Sequence, residues 1–373
     1  MIIGLLKDDQ PESRVAFLPD MCGAILQMCK GVCVETGAGD SSLVTDDMYR
    51  SAGAEVMSRS AVIDKSDILV SVNGFATADI VQLPVDKVLI GAMNPLSNKD
   101  LVHALKKHGQ TAFSLDLLPR TTRAQAMDIL SSMATVAGYK AVLMAANHLP
   151  VFFPMFMTAA GTIPPGKVLI LGAGVAGLQA IATARRLGAV VHVFDVRSAV
   201  REEVKSLGGK FVEIEGAKDD SSAGGYAVEQ QEDFLKRQRQ AIHDHATKAD
   251  AIICTAQIPG RKAPELIFED TVKEMKPGAV IVDLAASSGG NCVLTENNKT
   301  IQKHNVTIIG NSNLPALMPY DASRMFGKNL HQFLKLLLSD DGLNLDWEDD
   351  IIASTCITYK GDVKSERIHQ FLD

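Results

Sequence analysis

Residues 167–197 read KVLILGAGVAGLQAIATARRLGAVVHVFDVR, and this stretch decides the fold. An apolar run from Val168 to Leu171 leads into Gly172-Ala173-Gly174-Val175-Ala176-Gly177, and a helix-forming stretch follows. A second apolar run, Ala189 to Phe194, ends in Asp195. A strand before the glycines and a helix after them is the setting a dinucleotide-binding βαβ unit requires. Gly172 permits the tight turn, Gly174 lets the backbone approach a pyrophosphate, and Gly177 lets the helix pack close to the strand. The helix N-terminus attracts the phosphate charge. Asp195 follows Gly172 by 23 residues, about where an acid binds a ribose 2′-hydroxyl. The bland alternative is a tight βα turn in some other doubly wound domain; two strands, a helix and a terminal acid in register favour the dinucleotide. The Asp195 carboxylate repels a 2′-phosphate and so points to NAD(H), although an arginine such as Arg197, after Val196, is the residue type that accommodates that phosphate.

At 373 residues the chain has room for two domains, each with its own core. A hydrophobic content of 46% and a charged content of 22% are those of an ordinary soluble protein. A formal charge of −7, with no basic cluster interleaved with aromatics, excludes nonspecific nucleic-acid binding. Cys22, Cys29, Cys33, Cys254, Cys292 and Cys356 show no CxxC and no metal-ligand spacing, and read as reduced thiols of a cytosol-type compartment. The nine histidines do not cluster with carboxylates or thiols, so no metal is expected. The opening MIIGLLKDD charges too quickly for a signal peptide and reads as a first strand. The most apolar segment, around Leu143 to Thr162, holds Asn147, His148, Pro150 and Pro154, which argues against a transmembrane helix.

The fold class expected is α/β, with two Rossmann-like, doubly wound parallel-sheet domains and the NAD-binding one inserted into the first. Strands are expected at Ile2–Leu6, Val32–Glu35, Ile68–Val72, Val88–Gly91 and Thr111–Ser114, then near 167–171, 189–194, 251–255, 279–283 and 306–309. A long Ala- and Met-rich helix is expected from Arg123 to Asn147, broken by no glycine except Gly138. Residues 320–339 carry strong helical periodicity and would return the chain to the first domain. The division is therefore 1–135 plus 320–373 around 136–319. The polar interval 218–240 is either a mobile loop over the site or a solvated insertion.

Eight blocks in order carry a family resemblance: ESRVAFLP (12–19), VETGAGDSS (34–42), PRTTRAQAMDILSS (119–132), LGAGVAGLQA (171–180), VFDVR (193–197), GGYA (224–227), TAQIPGRKAP (255–264) and VDLAASSGGNC (282–292). With them the chain resembles the NAD(H)-binding alpha subunit, or domain I, of proton-translocating NAD(P) transhydrogenases, relatives of alanine dehydrogenase. The resemblance implies that Arg120, Gln125, Asp128 and Ser131 position the nicotinamide ring and its carboxamide. From spacing alone, Gln125, Asp128 and Ser131 recur every three residues, which on a helix puts them near one face; an ordinary helix start with a polar face gives the same pattern. Matched to the family, Gly224, Gly225 and Tyr226 belong to a loop that closes on nucleotide. Thr255, Ala256, Gln257 and Pro259 follow the strand near the adenosine and ribose, and Asp283, Leu284 and Ala285 close the next strand beside the nicotinamide half. Lys7 and Arg14 match residues that bind a keto-acid carboxylate in alanine dehydrogenase, or else form a structural ion-pair system.

Some positions depart from the family pattern. Leu314-Pro315-Ala316-Leu317 stands where LPSR is frequent, Phe326 where a tyrosine is expected, and Ser287 where an acid or amide is common. The family's membrane helices are not within these residues, which implies a separate polypeptide or a longer natural chain.

Three functions follow as expectations. The first is a transhydrogenase component: NAD(H) on this chain, NADP(H) on a partner beta subunit, a membrane-spanning subunit coupling transfer to proton flow, and a homodimer docked peripherally on the cytoplasmic or matrix-equivalent side. The second is an alanine dehydrogenase-like enzyme, which needs a base to take a proton as hydride leaves. Ser71 and Asn73 occupy the two positions where that relative carries lysines, and the region expected to hold its histidine reads Ile90-Gly91-Ala92-Met93-Asn94. His103 is the nearest histidine and sits in a basic helical pattern expected to be solvated. The third is a non-catalytic NAD(H)-sensing module, which has no need of the Arg120, Gln125, Asp128 and Ser131 set.

Overall fold

The computed structural model describes residues 1–372 apart from 10, 215–231, 258–260 and 341. Two compact units emerge, Met1–Met133 with Pro315–Asp373 and Ala134–Leu314. Each is built on one mostly parallel sheet, so the α/β doubly wound architecture holds.

In the second unit the strands lie in the order Lys210–Phe211, Val190–Phe194, Lys167–Leu171, Ala251–Cys254, Val280–Asp283, Val306–Ile309 and Thr300–Lys303. All pair in parallel except the last, which runs antiparallel to its neighbour. The central strands are apolar throughout because both of their faces are covered. Val168 and Ile170 pack into one cluster with Val191, Val193 and Ile253. Leu169 and Leu171 pack into another with Phe194, Ile252 and Ile281, as the two-residue alternation of a strand requires.

The first unit repeats the arrangement with eight strands, in the order Asp362–Val363, Cys356–Tyr359, Thr111–Ser114, Val88–Gly91, Ile68–Val70, Ile2–Leu5, Gly31–Glu35 and Glu55–Met57. The six from Thr111–Ser114 to Glu55–Met57 are parallel, and the C-terminal hairpin adds antiparallel to Thr111–Ser114. The return helix, Pro319–Leu337, buries Ala322, Phe326, Leu330, Phe333, Leu334 and Leu337 against this sheet's core. Phe326 is fully buried among apolar neighbours, an environment in which a tyrosine hydroxyl would need a partner.

The expected single helix from Arg123 is replaced by two pieces. Gln125–Met127 forms a 3₁₀ turn, Asp128 leaves helical geometry with ψ of 93°, and the long helix runs Ile129–His148. Asp128 won over periodicity because an aspartate before a helix satisfies backbone donors that an interior position would leave it competing for. By length and composition the helix Ile129–His148 could cross a membrane. Instead Ala141, Val142 and Ala145 are buried in the second unit's own core. Of the polar interval 218–240, the part from Glu232 belongs to the helix Glu232–Ala246, and the rest lies outside the described residues. All six cysteines are unpaired, and five are buried.

Candidate functional site

In a doubly wound sheet a crevice opens where the strand order reverses, at the carboxyl ends of the strands. In the second unit that point lies between Lys167–Leu171 and Ala251–Cys254, and both glycine-rich and polar segments picked out in the sequence follow these strand ends. Gly172 has φ of 99°, and a side chain there would meet Thr255 Oγ1 at 2.7 Å. A side chain at Gly177 would collide with the carbonyl oxygen of Gly172, so the helix Val175–Arg186 sits as close to its strand as a backbone allows. Gly174, by contrast, faces open space, with nothing within 4 Å of where its Cβ would be.

No side chain caps this helix at Gly174, which leaves its first-turn N–H groups for a ligand. Val175 and Ala176 carry these donors, and Ala173 precedes them. An uncapped helix start, an open glycine and a nearby acid fit a dinucleotide pyrophosphate and ribose. A further constraint comes from behind. A side chain at Gly138, the one glycine of the helix Ile129–His148, would strike the carbonyl oxygen of Ala176. The helices cross there backbone to backbone.

Asp195 ends the second strand of the βαβ unit. Its Oδ2 accepts from Ala173 N at 2.7 Å and from Arg197 Nη2 at 2.7 Å. Its Oδ1 accepts from Arg197 N and Nε, both at 2.9 Å. Val196, between them, packs partly buried against the core of the sheet's second face.

The neighbouring strand ends are tied by their own polar groups. Thr255 Oγ1 donates to the Gly172 carbonyl at 2.9 Å, and Gln257 Nε2 donates to the Leu284 carbonyl at 2.9 Å. Asn291 was not singled out in the sequence, yet it clamps Ala256: its Oδ1 accepts from Ala256 N at 3.0 Å and its Nδ2 donates to Ala256 O at 2.9 Å. Only its place behind two glycines, at the end of a quoted block, signalled it. The Asp283 side chain is fully buried and accepts from the N–H groups of Ala285, Asn291 and Cys292 and from Thr295 Oγ1. Burial pushes its carboxyl up from the ordinary range against the pull of those donors. The carboxylate therefore holds the loop 284–295 in place. Gly224, Gly225, Tyr226 and Pro259 lie outside the described residues.

The segment 119–131 belongs to the first unit. Ala124 and Met127 are buried and pin it, Arg123 forms ion pairs with Asp349 and Asp350, and Asn329 Nδ2 holds the Ala126 carbonyl at 2.8 Å. On that fixed base Arg120 and Gln125 are exposed, and Asp128 and Ser131 are half-buried. Asp128 caps the long helix: Oδ1 accepts from Ser131 N at 2.9 Å and Oδ2 from Ser131 Oγ at 2.5 Å. Asp128 and Ser131 are thus joined directly, while Gln125 stands on the preceding turn and not on the same helix face.

The first unit has a switch point of its own, between Ile2–Leu5 and Ile68–Val70, and it is filled by buried polar side chains. Asp8 accepts from Val72 N at 2.8 Å and Asn73 N at 2.7 Å. Burial pushes its carboxyl up to about 6 despite those bonds. Glu12 takes Arg14 bidentately, at 2.8 and 2.7 Å, and accepts from Asn73 Nδ2 at 2.9 Å. Burial works to raise Glu12, but the hydrogen bonds and charge of Arg14 outweigh it and hold the carboxyl at about 2. Ser71 Oγ donates to the Gly74 carbonyl, and Lys7 reaches toward Gly37 in the turn after the adjoining strand Gly31–Glu35. His103 is exposed on its helix.

Two family models match the chain: Alanine dehydrogenase/PNT, N-terminal domain, over residues 4–137, and Alanine dehydrogenase/PNT, C-terminal domain, over residues 141–366. The first polypeptide of the divided NAD(P) transhydrogenase subunit alpha of Rhodospirillum rubrum is 44% identical over 372 residues, covering 97% of each chain. The solved transhydrogenase from Sinorhizobium meliloti is 39% identical with a TM-score of 0.89, covering 97% of this chain and 100% of that one. A solved L-alanine dehydrogenase, 23% identical with a TM-score of 0.83 over 100% of this chain and 99% of that one, shares the fold.

The buried pair at the first switch point makes a direct prediction. Arg14→Met removes the one guanidinium bound bidentately to the buried Glu12 carboxylate and should cost about 3–5 kcal/mol in urea unfolding at neutral pH. In the wild type the ionised Glu12 stabilises above the ordinary carboxylate pKa of 4.5, and that contribution is lost as pH falls toward about 2. In the variant the guanidinium's pull is gone and burial works against only the bonds from Asn73 Nδ2 and the backbone N–H groups of residues 13 and 14, so the deficit should shrink on acidification. A loss under about 1 kcal/mol, or a deficit that grows at low pH, contradicts this account.

Proposed function

The chain belongs to the alanine dehydrogenase/PNT family, and from that membership we propose that it is the NAD(H)-binding component of a proton-translocating NAD(P) transhydrogenase. The reaction is direct hydride transfer between NADH held here and NADP+ held on a partner beta subunit, coupled to proton translocation by a membrane-spanning subunit. The observation that carries the choice within the family is the make-up of the first unit's switch point. Amino-acid oxidation needs a base for the substrate's proton. The positions that would supply lysines hold Ser71 and Asn73, and both side chains are committed to Gly74 and Glu12. The Asp8 carboxylate is engaged by two backbone N–H groups.

Bound NADH supplies a hydride from C4 of its nicotinamide, a step in which neither ring gains or loses a proton. The protein's part is then to bind, orient and exclude water. The uncapped helix start at Val175 takes the pyrophosphate and Asp195 the ribose. Arg120, Gln125, Asp128 and Ser131 position the ring, with the Asp128–Ser131 pair fixed by the helix cap they form. Gly225 and Tyr226 contact the bound nucleotide, and Thr255, Ala256, Gln257 and Leu284 line the strand ends.

We propose a homodimer docked peripherally, on the cytoplasmic or matrix-equivalent side. Its support is the hairpin Phe156–Thr158 and Gly161–Ile163 of the second unit, whose apolar side chains lie open. Met157 is 76% exposed and Phe152 54%, with Met155 and Ile163 beside them. A patch of this kind marks an interaction surface. Replacing both Met157 and Phe152 by aspartate should give a monomer in sedimentation at concentrations where the wild type is dimeric, with NADH binding retained; a dimer that persists would move the interface elsewhere.

The functional reading is tested by Asp128→Asn. Asparagine caps helices about as well as aspartate, so the fold should stand. With the NADP(H)-binding partner present, hydride transfer should fall at least about tenfold while NADH still binds, the weight of a charged hydrogen bond. Unchanged transfer would remove Asp128 from the ring site and favour a module that only senses NAD(H).

A further inference from the structure

Arg197 covers the acid that a dinucleotide must reach. Three of its N–H groups bond the Asp195 carboxylate, and Ala173 N supplies a fourth bond. A carboxylate has about four acceptor sites, so Asp195 is saturated by its own chain. The Asp195 side chain is only 6% exposed, against 25% for Arg197, which lies on the solvent side of the pair. A ribose hydroxyl therefore finds neither a free lone pair nor an open approach while the pair is closed.

We propose that Arg197 is a specificity-determining residue: it competes with the adenosine ribose for Asp195 and, once displaced, offers its guanidinium to a 2′-phosphate. The proposal rests on the reading that Asp195 is the ribose acid. Its consequence is that ribose recognition requires the opening of an internal ion pair. Discrimination for a 2′-hydroxyl, and against a 2′-phosphate, is then shallower than an uncovered aspartate would give. Backbone donors Ala173 N and Arg197 N stay with Asp195 throughout; only the Nε and Nη2 bonds open.

The test compares binding of three probes, NADH, its analogue lacking the 2′-hydroxyl of the adenosine ribose, and NADPH. They are titrated by fluorescence into the whole chain as wild type, Arg197→Met, Arg197→Lys and Asp195→Asn. Ratios between probes cancel the loss of attraction that any dinucleotide feels when a positive charge is removed. In Arg197→Met the preference for NADH over the deoxy analogue should rise by about tenfold, as an acceptor in an ionised group becomes available. The preference for NADH over NADPH should rise as well, because the 2′-phosphate loses its donor and meets a bare carboxylate. Arg197→Lys, which keeps the charge but cannot span both oxygens, should fall between. A merely structural role for Arg197 would weaken all three probes alike and leave the ratios fixed, which overturns the proposal. Should Asp195→Asn leave the hydroxyl preference untouched, the ribose assignment of Asp195 falls, and this inference with it.

Discussion

The candidate nucleotide site depends on backbone meeting backbone where no side chain can intervene. Gly177 rests on the Gly172 carbonyl, Gly172 on Thr255, and Gly138 from the long helix on the Ala176 carbonyl. These contacts fix the start of the helix Val175–Arg186 between two strand ends and a crossing helix. Its uncapped N–H groups then point from a rigid base, the pre-organisation that lets a bound phosphate be held without reordering the loop. The polar residues around it serve the same end. Asn291 and Asp283 are buried, satisfied and directed at backbone, so they shape the crevice without entering it.

One sheet design yields two switch points with opposite fates. In the second unit the crevice is left to backbone donors and an acid behind an arginine. In the first it is filled by Asp8, Glu12, Arg14 and Asn73, a network whose members satisfy one another. A buried network of that kind is costly unless complete, and Asn73 completes it, giving Glu12 an amide where a lysine would bring a titratable amine. The first crevice is thus filled by groups already engaged with one another and with backbone, and the positions of Ser71 and Asn73 bring no amine to it.

The central strands were legible because parallel strands covered on both faces become unbroken apolar runs, and Val88–Gly91, Thr111–Ser114 and Lys167–Leu171 lie at the expected residues. The edge strands were not. Glu55–Met57 is only three residues long and Thr300–Lys303 is mostly polar, and both are open to solvent; inside the other edge, Cys356–Tyr359 owes its existence to pairing with Thr111–Ser114 far along the chain. Glycine spacing announced the tight turn from strand to helix because Gly172 and Gly177 each answer a steric need. Hydrogen-bond partners are a different matter. That Arg197 turns back on Asp195, that Asp128 ends one helix to start another, and that Asp283 faces inward are choices among local geometries the sequence permits equally.

The central claim is that this chain passes hydride to a nicotinamide held on another polypeptide. The most direct measurement mixes the purified protein with the NADP(H)-binding domain of a transhydrogenase and follows oxidation of NADH against reduction of a spectrally distinct NADP+ analogue. A parallel sample replaces the partner and analogue by NADH with pyruvate and ammonium. The account predicts transfer with the partner and none with pyruvate and ammonium. NADH oxidation by pyruvate and ammonium, without transfer to the partner's nucleotide, would contradict it and make the chain an amino-acid dehydrogenase.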